Sequence, residues 1–122
     1  GGNYHNAMFE PTILTEVQPG MPVFDEETFG PVAAVIRADN EEHAIELGNQ
    51  SRFGLGMSLF TTDMAKVRKY IPLIEDGSVF INDLVKSDPR LPFGGTKLSG
   101  YGRELSLAGL REFTNIKTVY IK

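Results

Sequence analysis

The sequence has no cysteine in its 122 residues. This chain therefore supplies no disulfide framework, no thiolate metal site and no thiol nucleophile. Histidine is scarce as well. His5 and His43 are the only two, and neither has a second metal ligand at helical spacing, so a Ser-His-Asp triad or a zinc site has little to build on. His43 follows Glu41 and Glu42 in a polar stretch and reads as part of a solvated helix face. Basic residues come in ones and twos, as at Lys66, Arg68 and Lys69, and the formal net charge is -4. Nucleic acid and anionic membrane are poor partners for such a surface. There is no apolar run long enough to span a bilayer and no signal-peptide pattern, so a cytoplasmic location is expected.

The remaining composition is that of an ordinary globular chain, 41% hydrophobic and 23% charged, with enough length for one domain and a core. The first 31 residues look irregular. "GGNYHNA" reads as loop, "MFEPTILT" as a short strand opened by Pro11, and "VQPGMPVF" as turns. The middle is more regular. "VAAVIRA" (32–38) is a nearly continuous apolar run, as for a strand covered on both faces. Asp39 and Asn40 can cap a helix in "EEHAIELGN", with Ala44, Leu47 and Gly48 on one face. "GLGMSLFTT" (54–62) is a second strand, and Asp63 can cap "MAKVRKYIPLIE". There Met64, Val67, Ile71 and Ile74 recur at helical spacing until Pro72 kinks or ends the helix. "GSVFIN" (77–82) is a third strand. The alternation predicts an α/β fold, a mostly parallel sheet with right-handed crossover helices. At the end, "FTNIKTVYI" (113–121) alternates well enough for a strand.

The glycine-rich "PFGGTKLSGYGRE" (92–104) invites a phosphate-loop reading and fails it. Gly95 and Gly100 have the spacing, but Tyr101 and Gly102 stand where Lys and Ser or Thr are required. Leu105 occupies the third glycine position of the dinucleotide fingerprint, and no apolar strand immediately precedes it. The better reading is a tight loop whose glycines allow positive φ or close backbone approach.

Taken in order, "GG", "FEPTIL", "EETFGPV", "EEHAIELGNQSRFGLGMSLFTTD", "GSVFIN", "LPFGGTKLSGYGRE" and "GLREFTNIKTVYI" resemble the aldehyde dehydrogenase superfamily near its C-terminal end. The tail looks most like the succinate-semialdehyde dehydrogenase branch that accepts NAD or NADP. The resemblance implies a C-terminal fragment: residues 1–112 would be part of the catalytic domain, and 113–122 a strand that joins subunits into a homo-oligomer. In the family a cysteine thiolate attacks the aldehyde, a nicotinamide cofactor takes the hydride, and a glutamate activates the water that releases the acid. Cysteine and glutamate both lie upstream of the matched segment. The chain alone is therefore expected to be inactive, with no catalytic residue, no metal site and a share limited to positioning. A non-catalytic assembly or binding module derived from the family, or a dehydrogenase for another aldehyde, are the alternatives.

By the same resemblance, Glu27 in "DEETFGPV" binds the ribose hydroxyls beside the nicotinamide. An ionised carboxylate only accepts, which suits a diol. Phe29 lies near the nicotinamide ring, with Gly30 and Pro31 as the stiff corner behind. Ser87, five residues before Pro92, matches a serine that binds the substrate carboxylate, and Phe93 forms an apolar wall. Lys86 and Arg90 read as solvated.

Overall fold

The computed structural model describes all 122 residues. Contacts divide them into two compact units, Gly1–Arg52 and Phe53–Lys122, a division that falls inside the expected 1–112 domain.

In the first unit, β1 (Tyr4–His5) and β2 (Met8–Phe9) form an antiparallel hairpin pairing Tyr4 with Phe9 and His5 with Met8. Its turn residue Asn6 has φ of 52°, the left-handed region that asparagine tolerates better than most residues. Pro11 then precedes β3 (Thr12–Leu14), where its missing N–H costs no ladder bond. β3 runs parallel to β4 (Val32–Ala34), pairing Thr12, Ile13 and Leu14 with Val32, Ala33 and Ala34. The predicted strand over 32–38 is shorter because its partner is only three residues long. The connection carries a short helix, α1 (Pro22–Asp25), where the sequence suggested only turns; Pro22 lies in its first turn. Helix α2 (Glu41–Asn49) is capped as expected, with the Asn40 side chain accepting from the His43 N–H at 2.9 Å. Its buried side chain is Ile45, which with Val17 makes the core of this unit. Ala44, Leu47 and Gly48 instead line a groove beside Val23, Phe24 and Ile36.

The second unit contains β5 (Phe53–Gly54), β6 (Met57–Leu59), α3 (Met64–Tyr70), β7 (Val79–Ile81), β8 (Thr96–Lys97) and α4 (Ser106–Glu112). β6 and β7 are parallel, pairing Met57 with Val79 and Leu59 with Ile81, and α3 makes the crossover. β5 and β8 pair antiparallel. Asp63 caps α3 by accepting from the N–H groups of Ala65 and Lys66 at 3.0 and 3.1 Å. Pro72 ends it: Ile71–Leu73 tightens into a 3-10 turn. Val67 and Tyr70 form the buried core, while Met64 and Ile71 remain exposed.

Two expectations need correction. The strands do not form one mostly parallel sheet but four two-stranded pairs, two parallel and two antiparallel. The expected strand over 113–121 forms no ladder, because a strand needs a partner and this chain supplies none there. Phe113, Ile116, Tyr120 and Ile121 are all exposed. Four hydrophobic side chains are buried, Val17 and Ile45 in the first unit and Val67 and Tyr70 in the second. No helix is long and apolar enough to cross a membrane.

Candidate functional site

In the first unit, the acidic corner follows α1. The Glu26 N–H closes the helix on the Pro22 carbonyl at 2.8 Å. The next stretch is held by two three-residue turns, Gly30 N–H to the Thr28 carbonyl at 2.9 Å and Val32 N–H to the Gly30 carbonyl at 2.8 Å. Pro31 is tied to β3 by the Thr12 N–H, also at 2.8 Å. The stiff corner expected behind Glu27 and Phe29 is therefore present. Both residues project outward from it, Phe29 with 94% of its surface exposed. Glu26 is exposed too, so exposure does not separate the two acids.

In the second unit, the Asp83–Phe93 loop leaves the C-terminal end of β7, where parallel sheets place their ligand crevices. Asn82, with φ of 55°, sets its departure. The Asn82 side chain accepts from the Thr61 N–H and donates to the Thr61 carbonyl, each at 2.8 Å. Within the loop, the charges close on one another. Lys86 Nζ lies 2.6 Å from Asp83 Oδ2, and the Leu84 N–H donates to Asp83 Oδ1 at 2.8 Å. Arg90 donates its backbone N–H and Nε to Asp88 Oδ1 at 2.9 and 3.0 Å, and Nη2 to Oδ2 at 2.6 Å. Hydrogen bonds from Lys86 and from Arg90 hold the Asp83 and Asp88 carboxyls, respectively, below the usual carboxylate range.

A cavity of about 310 Å³ lies between β7 and this loop, with Leu91, Pro92 and Phe93 in its wall. Ser87 is exposed and is not part of that wall; it shares the loop with Phe93 but not the cavity. Lys86 and Arg90 are exposed, as expected, and each is also ion-paired within the loop. The signal for this was present in the short spacings of "DLVK" and "DPR", which put each cation two or three residues after an acid.

The glycine-rich stretch is a packing device, as its sequence suggested. Phe93 and Glu104 exchange N–H···O=C bonds at 2.9 and 2.8 Å. Arg103 Nη1 donates to the carbonyls of Gly95 and Gly102 at 2.9 and 2.6 Å. A methyl group on Gly77 would collide with the Gly94 carbonyl oxygen, and one on Gly109 would lie 2.7 Å from the Glu104 carbonyl carbon. Asp76, nearby in sequence, has its carboxyl pushed up by burial, opposed by Lys97 and reinforced by Glu75. His43 accepts the Asp39 N–H on Nδ1 at 3.2 Å, and no cluster of metal-ligating side chains is found.

The family model for the aldehyde dehydrogenase family matches residues 1–119. The chain is 52% identical over 119 residues to a succinate semialdehyde dehydrogenase (NAD(P)+) of Escherichia coli K12, covering 98% of this chain and 25% of that protein. It is 51% identical over 113 residues to succinate-semialdehyde dehydrogenase (NADP+) 1 of Mycobacterium tuberculosis H37Rv, covering 93% and 25%. Among solved structures, succinic semialdehyde dehydrogenase from Streptococcus pyogenes in complex with NADP+ superposes with a TM-score of 0.84 at 42% identity, over 91% of this chain and 24% of that one. A salicylaldehyde dehydrogenase from Pseudomonas putida G7 complexed with salicylaldehyde gives 0.86 at 41% identity, over 91% and 23%. The chain thus spans about a quarter of the length of these relatives.

Proposed function

Because the chain belongs to the aldehyde dehydrogenase family, we propose that it works as one part of an NAD(P)-dependent enzyme oxidising succinate semialdehyde to the acid. The observation that carries this reading is its 51–52% identity to dehydrogenases named for that aldehyde.

The residues present suit the cofactor. A ribose diol offers two O–H donors, and Glu27 offers an acceptor-only carboxylate on a corner fixed by two tight turns. Phe29, exposed two residues on, offers a flat apolar face to the nicotinamide. The dinucleotide, when bound, supplies the hydride acceptor. The residues of this chain orient and select. Glu27 accepts the ribose hydroxyls, Phe29 limits where the ring can lie, Ser87 donates its hydroxyl to the substrate carboxylate, and Phe93 walls the apolar part of the substrate. With no cysteine, the chain has no nucleophile and does not turn over aldehyde alone. Residues 113–122 contribute to a homo-oligomer by finding in another subunit the strand partner they lack here.

The similarity to a salicylaldehyde dehydrogenase favours a second reading, the same chemistry on another aldehyde. Both are tested by exchanging the matching quarter of the Escherichia coli relative for this chain. NAD- and NADP-linked oxidation is then measured with succinate semialdehyde and with butanal, an uncharged aldehyde of the same carbon count. A preference for the carboxylate-bearing aldehyde is expected. Turnover that prefers butanal, or treats the two alike, would move the assignment to another substrate.

A further inference from the structure

We propose that Asp88 is a positioning residue for substrate selection, because its fork with Arg90 fixes the stretch of loop that presents Ser87. The inference rests on the reading of Ser87 as the donor to the substrate carboxylate.

Ser87 is exposed, in a segment without helix or strand. Nothing in its own side chain holds it there, yet its neighbours in sequence on both sides are anchored. On one side, Lys86 is bound to Asp83, at the end of β7. On the other, the Asp88 carboxylate receives three hydrogen bonds from Arg90, and its carbonyl receives the Leu91 N–H at 2.9 Å. The next carbonyl, Pro89, accepts the Ser106 N–H at 3.1 Å, tying the turn to the start of α4. Ser87 thus sits between two fixed points.

The same pairs decide how an anion would be recognised. Asp83 and Asp88 neutralise Lys86 and Arg90, so the loop carries no net charge and offers no free cation to a carboxylate. What this loop itself can offer is a neutral hydroxyl, which is directional and works only when well placed. A donor that must be aimed needs its backbone fixed, and of the two ties beside it the Asp88–Arg90 fork is the bidentate one. A bidentate guanidinium–carboxylate pair supplies geometric specificity that a single contact does not.

The test uses the full-length dehydrogenase carrying this chain as its matching quarter, with Asp88→Asn, Ser87→Ala, the double variant and Arg90→Lys. Asp88→Asn should lower kcat/KM for succinate semialdehyde about tenfold while leaving butanal within about twofold. Added to Ser87→Ala, it should bring no further selective loss. Arg90→Lys, which keeps the charge but not the fork, should fall between wild type and Asp88→Asn. Equal losses for both aldehydes, or none, would overturn the proposal even if Ser87→Ala is selective. If Ser87→Ala shows no selective loss, the reading of Ser87 fails first. A selective loss in Asp88→Asn alone would mean that Asp88 acts through some other donor, and would also overturn the proposal.

Discussion

Gly77→Ala tests whether the glycine-rich segment is a packing device. The added methyl group would collide with the Gly94 carbonyl oxygen, and would lie 2.9 Å from the Gly94 carbonyl carbon and 3.1 Å from the Gly95 Cα. All three are backbone atoms, so no side chain can swing clear. Comfortable carbon–oxygen contact begins at about 3.3 Å, so one of the two segments must retreat. Gly77 is held by its N–H bond to the Gly54 carbonyl at 3.0 Å, and Gly94 follows Phe93, which is locked to Glu104 by two bonds. Overpacking of this kind costs about 1–3 kcal/mol, and one sacrificed hydrogen bond adds about 1 kcal/mol. The expected loss is about 2–4 kcal/mol, a drop of more than about 1 M in the urea midpoint at ordinary slopes. Gly30→Ala is the control, since a methyl group there meets nothing within 4 Å and the backbone is not left-handed. It should be neutral or stabilising by about 0.4–1 kcal/mol, through the unfolded chain. Urea unfolding followed by circular dichroism reads both. A Gly77→Ala midpoint matching wild type would show that Gly77 and the Gly94–Gly95 backbone are not in close contact, and would reopen a ligand-binding role for those glycines.

The other predictions are narrower. Asp76 binds its proton more tightly folded than unfolded, so its contribution to stability falls as pH rises from the ordinary 3.8 through the raised value. Asp76→Asn should therefore raise the urea midpoint at pH 7 but not at pH 3; the shift is small because Lys97 opposes the effect of burial. A gain of equal size at both pH values would exclude titration as its cause. Glu27→Gln in the full-length enzyme should slow hydride transfer by about tenfold while changing dinucleotide affinity less, a split readable from single-turnover rates and equilibrium binding. Equal losses in both would remove Glu27 from its assigned role. Deleting 113–122 should lower the oligomeric state of the full-length enzyme in sedimentation velocity, and an unchanged state would place the subunit contact elsewhere.

The elements most legible in the sequence are those with punctuation at both ends. Helix α3 could be bounded because Asp63 supplies a cap and Pro72 a stop, and β6 and β7 flank it as the parallel pair that such a crossover demands. Helix α2 was legible from Asn40 for the same reason, but its burial was not. Ala44, Leu47 and Gly48 do share a groove, while Ile45 takes the core position. Periodicity marks a face without saying which neighbour covers it. The β1–β2 hairpin and the β5–β8 pair have two-residue strands, too short for any period to register. The tail forms no ladder within this chain for the opposite reason: alternation over 113–121 names a strand, but a ladder depends on a partner that local sequence cannot supply.

The candidate site was legible only as far as its residues act alone. The Gly-Pro corner behind Glu27 could be read from residue types, because proline and tight turns are local effects. The pairing of Asp83 with Lys86 and of Asp88 with Arg90 is also local in sequence, yet it changes what the loop can do. The two cations of this loop each face an acid of the same loop, so the loop itself carries paired rather than free charge. No thiol nucleophile lies in this chain. Glu27 and Phe29 in the first unit are exposed, and so is Ser87 in the second. Fixed groups aimed outward, without a nucleophile among them, are what a positioning segment would present to chemistry supplied from outside it.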